Sequence, residues 1–224
     1  MDTEMLSESN KTYMAGRIAT EPAFSHELYG EGFVTFQMEV TRLSQQKDVL
    51  PVTVSERLLL GEELHVGDEV AVLGQLRSYN KFIDGKSRLF ITVFARSLSR
   101  DVDESVNPNQ IHLEGHLCKP PIYRTTPFHR EITDMLLAVN RAYGKSDYIP
   151  SITWGRNARF SEKLQVGDRV RIWGRLQSRA YQKKTPDGRL IDKVAYEVSI
   201  AKMYVDPKQA PEEFGTAETL LKAE

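Results

Sequence analysis

The chain has 224 residues, 40% hydrophobic and 27% charged, with a net charge of −1 and a single cysteine, Cys118. That length suits two domains of about 100 residues, each able to bury its own core. One cysteine excludes a disulfide framework and a cysteine-rich zinc site. No run of 18 apolar residues and no leader-like start is present, so the expectation is a cytoplasmic, nucleoid-associated protein without a membrane partner.

The balanced charge conceals a division. Residues 1–104 hold 11 Lys+Arg against 17 Asp+Glu, whereas residues 109–205 hold 17 against 9, a net of +8. Such asymmetry points to an acidic partner for the second half.

The two halves repeat at a period of 99 to 100 residues. Asn10 and Gly16 recur as Asn109 and Gly115, Val40-Thr-Arg42 as Val139-Asn-Arg141, and Asp48-Val-Leu-Pro51 as Asp147-Tyr-Ile-Pro150. Val66-Gly-Asp68 returns as Val166-Gly-Asp168, and Gly74-Gln-Leu-Arg-Ser78 as Gly174-Arg-Leu-Gln-Ser178. These matches imply two copies of one domain, 10–100 and 109–205, joined by a Ser99–Pro108 linker and followed by a 206–224 tail able to form a short helix.

Taken in chain order, the first copy predicts strands at Lys11–Ala19, Phe33–Arg42, Val49–Val54, Asp68–Tyr79 and Ser87–Ala95. The second predicts Gln110–Leu117, Ile132–Arg141, Tyr148–Trp154, Asp168–Tyr181 and Lys193–Tyr204. A short helix fits between the third and fourth strands, at Glu56–Leu64 and Asn157–Leu164. Asp84-Gly85 and Pro186-Asp187-Gly188 mark hairpins, because glycine readily takes the positive φ of tight turns. The expected fold is all-β: two tandem five-stranded Greek-key barrels of the OB type.

The fourth strand separates the copies. One face keeps Val70, Val72, Gly74 and Leu76 as Val170, Ile172, Gly174 and Leu176, as a conserved core requires. The other face reads Arg169, Arg171, Trp173, Arg175, Gln177, Arg179, Tyr181 in copy two, against Glu69, Ala71, Leu73, Gln75, Arg77, Tyr79, Lys81 in copy one. Aromatics among arginines are what a protein needs to stack on bases and neutralise phosphates of a single strand. The candidates are Tyr143, Tyr148, Trp154 and Tyr181, with Arg141, Arg156, Arg175, Arg179, Lys183 and Lys184. Copy one has Ser44, Val49 and Ser55 opposite the first three aromatics. The alternation around Tyr148 is ambiguous, since Ile149 and Ile152 have opposite parity. Trp173 and Arg171, on an outward face, are better read as a subunit contact. His112 and His116 share a face but lack a third ligand, so no metal, cofactor or catalytic group is expected. The alternative function is an OB-fold scaffold or replication accessory protein that mainly binds other proteins.

At Asn109-Gln-Ile-His-Leu-Glu-Gly115, Leu137-Ala-Val-Asn-Arg141, Asp147-Tyr-Ile-Pro150, Thr153-Trp-Gly155, Val166-Gly-Asp-Arg-Val170 and Gly174-Arg-Leu-Gln-Ser-Arg179, the second copy resembles the bacterial single-stranded DNA-binding protein family. The resemblance implies sequence-tolerant binding of single-stranded DNA in replication, repair or recombination. It implies stacking by Tyr143, Tyr148, Trp154 and Tyr181 and basic contacts that include Arg124, Arg156 and Arg179. It also implies an assembly of four barrels, here a homodimer. Two features depart from the family. The tail lacks a long Gly/Pro/Gln-rich segment with an acidic tip, so recruitment of replication proteins through such a tip is not expected. The first copy lacks the stacking residues and is expected to serve assembly.

Overall fold

A computed structural model describes residues 9–59, 63–141, 144–185 and 188–206. Tyr143, Pro186, Asp187 and all of the tail beyond Asp206 lie outside these residues. The first half contains β1 (Asn10–Ile18), β2 (Ala23–Leu28), β3 (Glu31–Thr41), β4 (Lys47–Ser55), β5 (Glu69–Ile83) and β6 (Lys86–Ser99). The second contains β7 (Asn109–Leu117), β8 (Ile122–Thr125), β9 (Glu131–Asn140), β10 (Ser146–Trp154), β11 (Arg169–Lys184) and β12 (Leu190–Val205).

Alternating apolar residues explain these strands. On β3, Phe36, Met38 and Val40 point inward; on β9, Met135, Leu137 and Val139 do the same. Full burial of each such side chain contributes about 1.5–3 kcal/mol. In the first half β1 pairs with β5, β5 with β6, β6 with β4 in parallel, β4 with β3, and β3 returns to β1. The five strands thus close a ring. β7, β11, β12, β10 and β9 close a second ring by the same sequence of pairings. Both are the Greek-key barrel of the OB type.

Each half also carries an edge strand beyond the expected five: β2 on β3, and β8 on β9. Every residue of β2 is exposed, so it has no buried face to leave an alternating signal. Between the third and fourth barrel strands the chain forms a four-residue 3-10 turn at Glu56–Leu59 in the first half. The second half has a six-residue helix, α1 (Arg156–Ser161), at that place. The Asp84-Gly85 hairpin has positive φ at both residues, 52° and 71°, the geometry that matches the twist of paired strands.

The barrels join through their first strands. β1 runs antiparallel to β7, with Thr12 opposite Ile111 at the centre, and these two are equivalent positions in the repeat. A pseudo-twofold axis therefore passes between them. The 12 strands form one continuous sheet, and a single hydrophobic cluster runs through both barrels. Asn10 and Asn109 fix the start of β1 and β7 within their own barrels. Each is 3% exposed and bonds both the N–H and C=O of a core leucine in its own barrel, Leu76 or Leu176, at 2.7–2.9 Å.

Candidate nucleic-acid interface

Two junctions flank the pseudo-twofold axis, and their differences define the site. At the first, Asp48 of barrel one is fully buried. It accepts Nε and Nη2 of Arg42 at 2.5 and 2.7 Å and the backbone N–H of Ser178 from barrel two at 2.8 Å. At the second, Asp147 plays the same part with Arg141 and with the N–H of Ser78 from barrel one, at 2.6 Å. The motif pairs Arg42/Asp48 and Arg141/Asp147 thus serve the joint between barrels.

The outward residues do not match. At the second junction Arg77 donates to Asp147 at 3.1 Å and to Gln75 at 2.6 Å, so two guanidiniums share one carboxylate. At the first junction Arg and Gln exchange places along the strand. Among the described residues Arg175 reaches only Gln177, at 3.3 Å, and its buried Nε has no partner. Burial, and then the charge of Arg42, push the Arg175 pKa below its ordinary value, with Asp48 pulling the other way. Arginine stays protonated regardless, so an incompletely compensated cation faces outward here.

Around Arg175 lies a cleft of about 570 Å3 lined by Arg42, Gln46, Arg130, Trp154 and Arg179 among others. Its volume is within the range of small-ligand sites. Trp154 ends β10 because Gly155 follows with φ 53°. Its indole is 37% exposed and donates Nε1–H to Ser199 at 3.2 Å, which fixes the ring on the cleft wall. Arg179 rests on Glu197 at 3.3 Å, with its guanidinium 5.7 Å from the Tyr181 ring centroid. Gln177, also bonded to Glu197, is buried, at 2.9 Å from it.

The outward face of β11 is not one surface. A register shift between Trp173 and Gly174 divides it, as a bulge re-aims side chains on either side. Arg169 and Arg171 pair with Glu114 and Asp206, and Trp173 stacks on His112 at 4.7 Å with Tyr204 edge-on at 5.6 Å. Beyond the shift, Arg175 and Arg179 enter the cleft.

The sequence candidates sort accordingly. Trp154, Arg175 and Arg179 line one cleft, with Tyr181 against Arg179. Arg156 opens α1 directly after Gly155, exposed and without an ion pair among the described residues. Lys183 and Lys184 are exposed at the far end of β11. Arg124 is held by Asp134 at 2.6 Å; that bond raises its pKa, opposed by desolvation, and it also feels the charge of Glu197. Tyr148 is 44% exposed, but its N–H donates to Ser78, which places it at the second junction. The alternation around it resolves with Tyr148 outward and Ile149 and Ile152 both buried. Arg141 is committed to Asp147 inside the joint, because a buried carboxylate demands a cation.

Sequence reasoning missed Arg42, Gln46 and Arg130. Arg42 stood out only as a repeat anchor, and no local pattern says that it faces the other barrel. Also missed was an aromatic group on barrel one, where Tyr79 stacks on Phe90 at 5.7 Å with Lys81 over both rings. Phe90 sits on the neighbouring strand, so a comparison along one strand passes over it.

Among the described residues no helix is long and apolar enough to cross a membrane. The model of the Single-strand binding protein family matches residues 108–205. A single-stranded DNA-binding protein of Clostridium tetani is 32% identical over 93 residues, 38% of this chain and 64% of that protein. Single-stranded DNA-binding protein 1 of Staphylococcus aureus is 32% identical over 114 residues, 48% of this chain and 66% of that protein. The chain thus spans a little under two-thirds of the length of these curated relatives. The crystal structure of wild-type single-stranded DNA binding protein from Thermus aquaticus superposes with a TM-score of 0.68 at 18% identity. The superposition covers 92% of this chain and 96% of that one, which shows a shared fold. The barrel of residues 108–205 is thus similar to the Single-strand binding protein family, and the chain shares its fold with the Thermus aquaticus protein.

Proposed function

We propose that the chain binds single-stranded DNA without sequence preference and acts in replication, repair or recombination. The observation that carries this reading is the placing of Trp154, Arg175 and Arg179 around one cleft, where the sister barrel has Ser55, Gln75 and Tyr79 at the equivalent positions. Trp154 and Tyr181 offer ring faces on which bases stack, while Arg175, Arg179 and Arg156 neutralise phosphates, joined by Lys183 and Lys184 from the hairpin. Tyr148 extends the stacking surface toward the second junction. Family relatives named for single-stranded DNA favour this reading over a scaffold that mainly binds proteins.

Barrel two, residues 109–205, is the DNA-binding domain in this reading, and barrel one, residues 10–100, serves assembly. The chain works as a homodimer presenting four barrels. The support is the outward sheet face beside the pseudo-twofold axis, where Trp173, His112 and Tyr204 form an aromatic group next to exposed Leu73. The expected seat is the cytoplasm, with the nucleoid.

Titration with oligo-dT tests the function. Binding quenches tryptophan fluorescence and weakens steeply with salt. Trp154→Ala costs about 1–3 kcal/mol, the loss of one stacking platform. Absence of binding at low salt to a strand of about 35 nucleotides, at least two site sizes, overturns the proposal.

A further inference from the structure

The cleft that carries the proposed function is not built by barrel two alone. Gln46 and Arg42 enter it from barrel one. Arg42 spends Nε and one Nη2 hydrogen on Asp48 and one Nη1 hydrogen on Gln46, at 2.8 Å. A guanidinium has five N–H donors, so two remain. Arg175 keeps Nη hydrogens beyond the one given to Gln177, while its buried Nε has no partner among the described residues. Arg130, from the loop before β9, has an exposed side chain with no ion pair among the described residues.

The charges around this cleft do not cancel. Among the described residues, Arg42, Arg130, Arg175 and Arg179 line it and no carboxylate does. Asp48 and Glu197 sit behind, each engaged by one arginine. At the twin junction the equivalents of Arg175 and Arg179 are Gln75 and Tyr79, the equivalent of Trp154 is Ser55, and Arg77 turns inward to Asp147. A cleft beside the twin junction is lined by Arg77, Arg96 and Arg141, but Asp147 holds Arg77 and Arg141 there and Gln75 accepts from Arg77 and Arg96. Burial and the charge of Arg42 lower the Arg175 pKa, and Asp48, already bonded to Arg42, offsets them only in part.

We propose that this cleft is a phosphate-binding subsite for the DNA strand, completed by Arg42 and Gln46 of barrel one, so that the strand crosses the joint between barrels. A phosphate oxygen there accepts from Arg175 and from the free hydrogens of Arg42 while the adjoining base lies against Trp154. The inference rests on the single-strand reading above and adds that barrel one contributes directly to binding.

Charge variants of Gln46 test it, because this residue is exposed and its twin position carries Lys145. In the full chain, Gln46→Glu keeps an oxygen for Arg42 and places a negative charge at the cleft mouth. Its affinity for oligo-dT at low salt falls about fivefold or more, since like-charge juxtaposition opposes binding. Gln46→Lys strengthens binding, and both differences shrink as salt is raised. Thermal melts of both variants match wild type. If both bind like wild type at low salt while Trp154→Ala still loses affinity, the strand stays on barrel two and this inference falls alone. If Trp154→Ala also binds unchanged, the single-strand reading of the cleft falls with it.

Discussion

The buried carboxylate of Asp48 accepts the backbone N–H of Ser178, a residue of the opposite barrel 130 positions away, at 2.8 Å. Val49 N–H in turn donates to the Ser178 hydroxyl at 3.3 Å, and Tyr148 N–H donates to Ser78 at 2.7 Å on the other side of the axis. Each barrel thus holds the other by a carboxylate at the start of a strand, β4 or β10, and a serine on the long fourth strand of the ring. A buried charge with only backbone and serine partners would be costly; the arginine six residues earlier supplies the counter-charge.

Loss of either carboxylate leaves a cation without compensation in a buried joint. Asp147→Ala is expected to destabilise the chain by about 3–5 kcal/mol, as for other buried pairs broken on one side. Asp48→Ala costs less, because it strands only Arg42 whereas Asp147 holds both Arg77 and Arg141. Urea unfolding midpoints measure the difference; equal losses would contradict the shared-carboxylate arrangement.

Gly174 lies where β11 crosses β12 so closely that an added Cβ would fall on the carbonyl oxygen of Ser199, well inside contact distance. Backbone cannot yield as a flexible side-chain end can. Gly174→Ala is therefore expected to cost about 1–3 kcal/mol, as overpacking does. At roughly 2–4 °C per kcal/mol for a chain of this size, the melt drops by several degrees. Gly74→Ala meets Phe94 in the same way and serves as the paired measurement.

Arginines of equal sequence appearance differ in what they are free to do. Arg156→Ala removes an exposed, unpaired cation, so it lowers the salt slope of oligo-dT binding by about one with stability unchanged. Arg141→Ala removes a counter-ion of Asp147, so its effect falls on stability and only secondarily on binding. Salt titrations alongside thermal melts separate the two; a reversal of these roles would mean that the joint is not the office of Arg141.

Trp173→Glu places a charge in the middle of the aromatic group with His112 and Tyr204. If that face joins two chains, sedimentation velocity shifts from dimer to monomer, while Trp154 fluorescence still responds to oligo-dT. A dimer that survives the substitution rules out this face.

Much of the architecture could be read along the chain. The period of 99 to 100 residues, the inward alternation on β3, β9 and β11, and the Asp84-Gly85 turn are local features, and each appears at its place. The edge strands β2 and β8 were not readable, since both are largely exposed and carry no alternation. On β11 the seven outward residues form one list in sequence but two surfaces in space, because a register shift opposite Ala201 turns the strand.

What the sequence by itself determined is the pair of barrels and the chemical difference between them: strand periodicity is local, and the twin copy shows which aromatic and basic positions are not needed for the fold. Only the tertiary structure decided how those positions are grouped. It gathers Trp154, Arg175 and Arg179 into one cleft, sends Tyr148 to the other junction, withdraws Arg141 into the joint and brings in Arg42 from more than 100 residues away. The reason is that the β1–β7 pairing sets one barrel against the other, and a contact between barrels leaves no periodic mark in either strand that makes it.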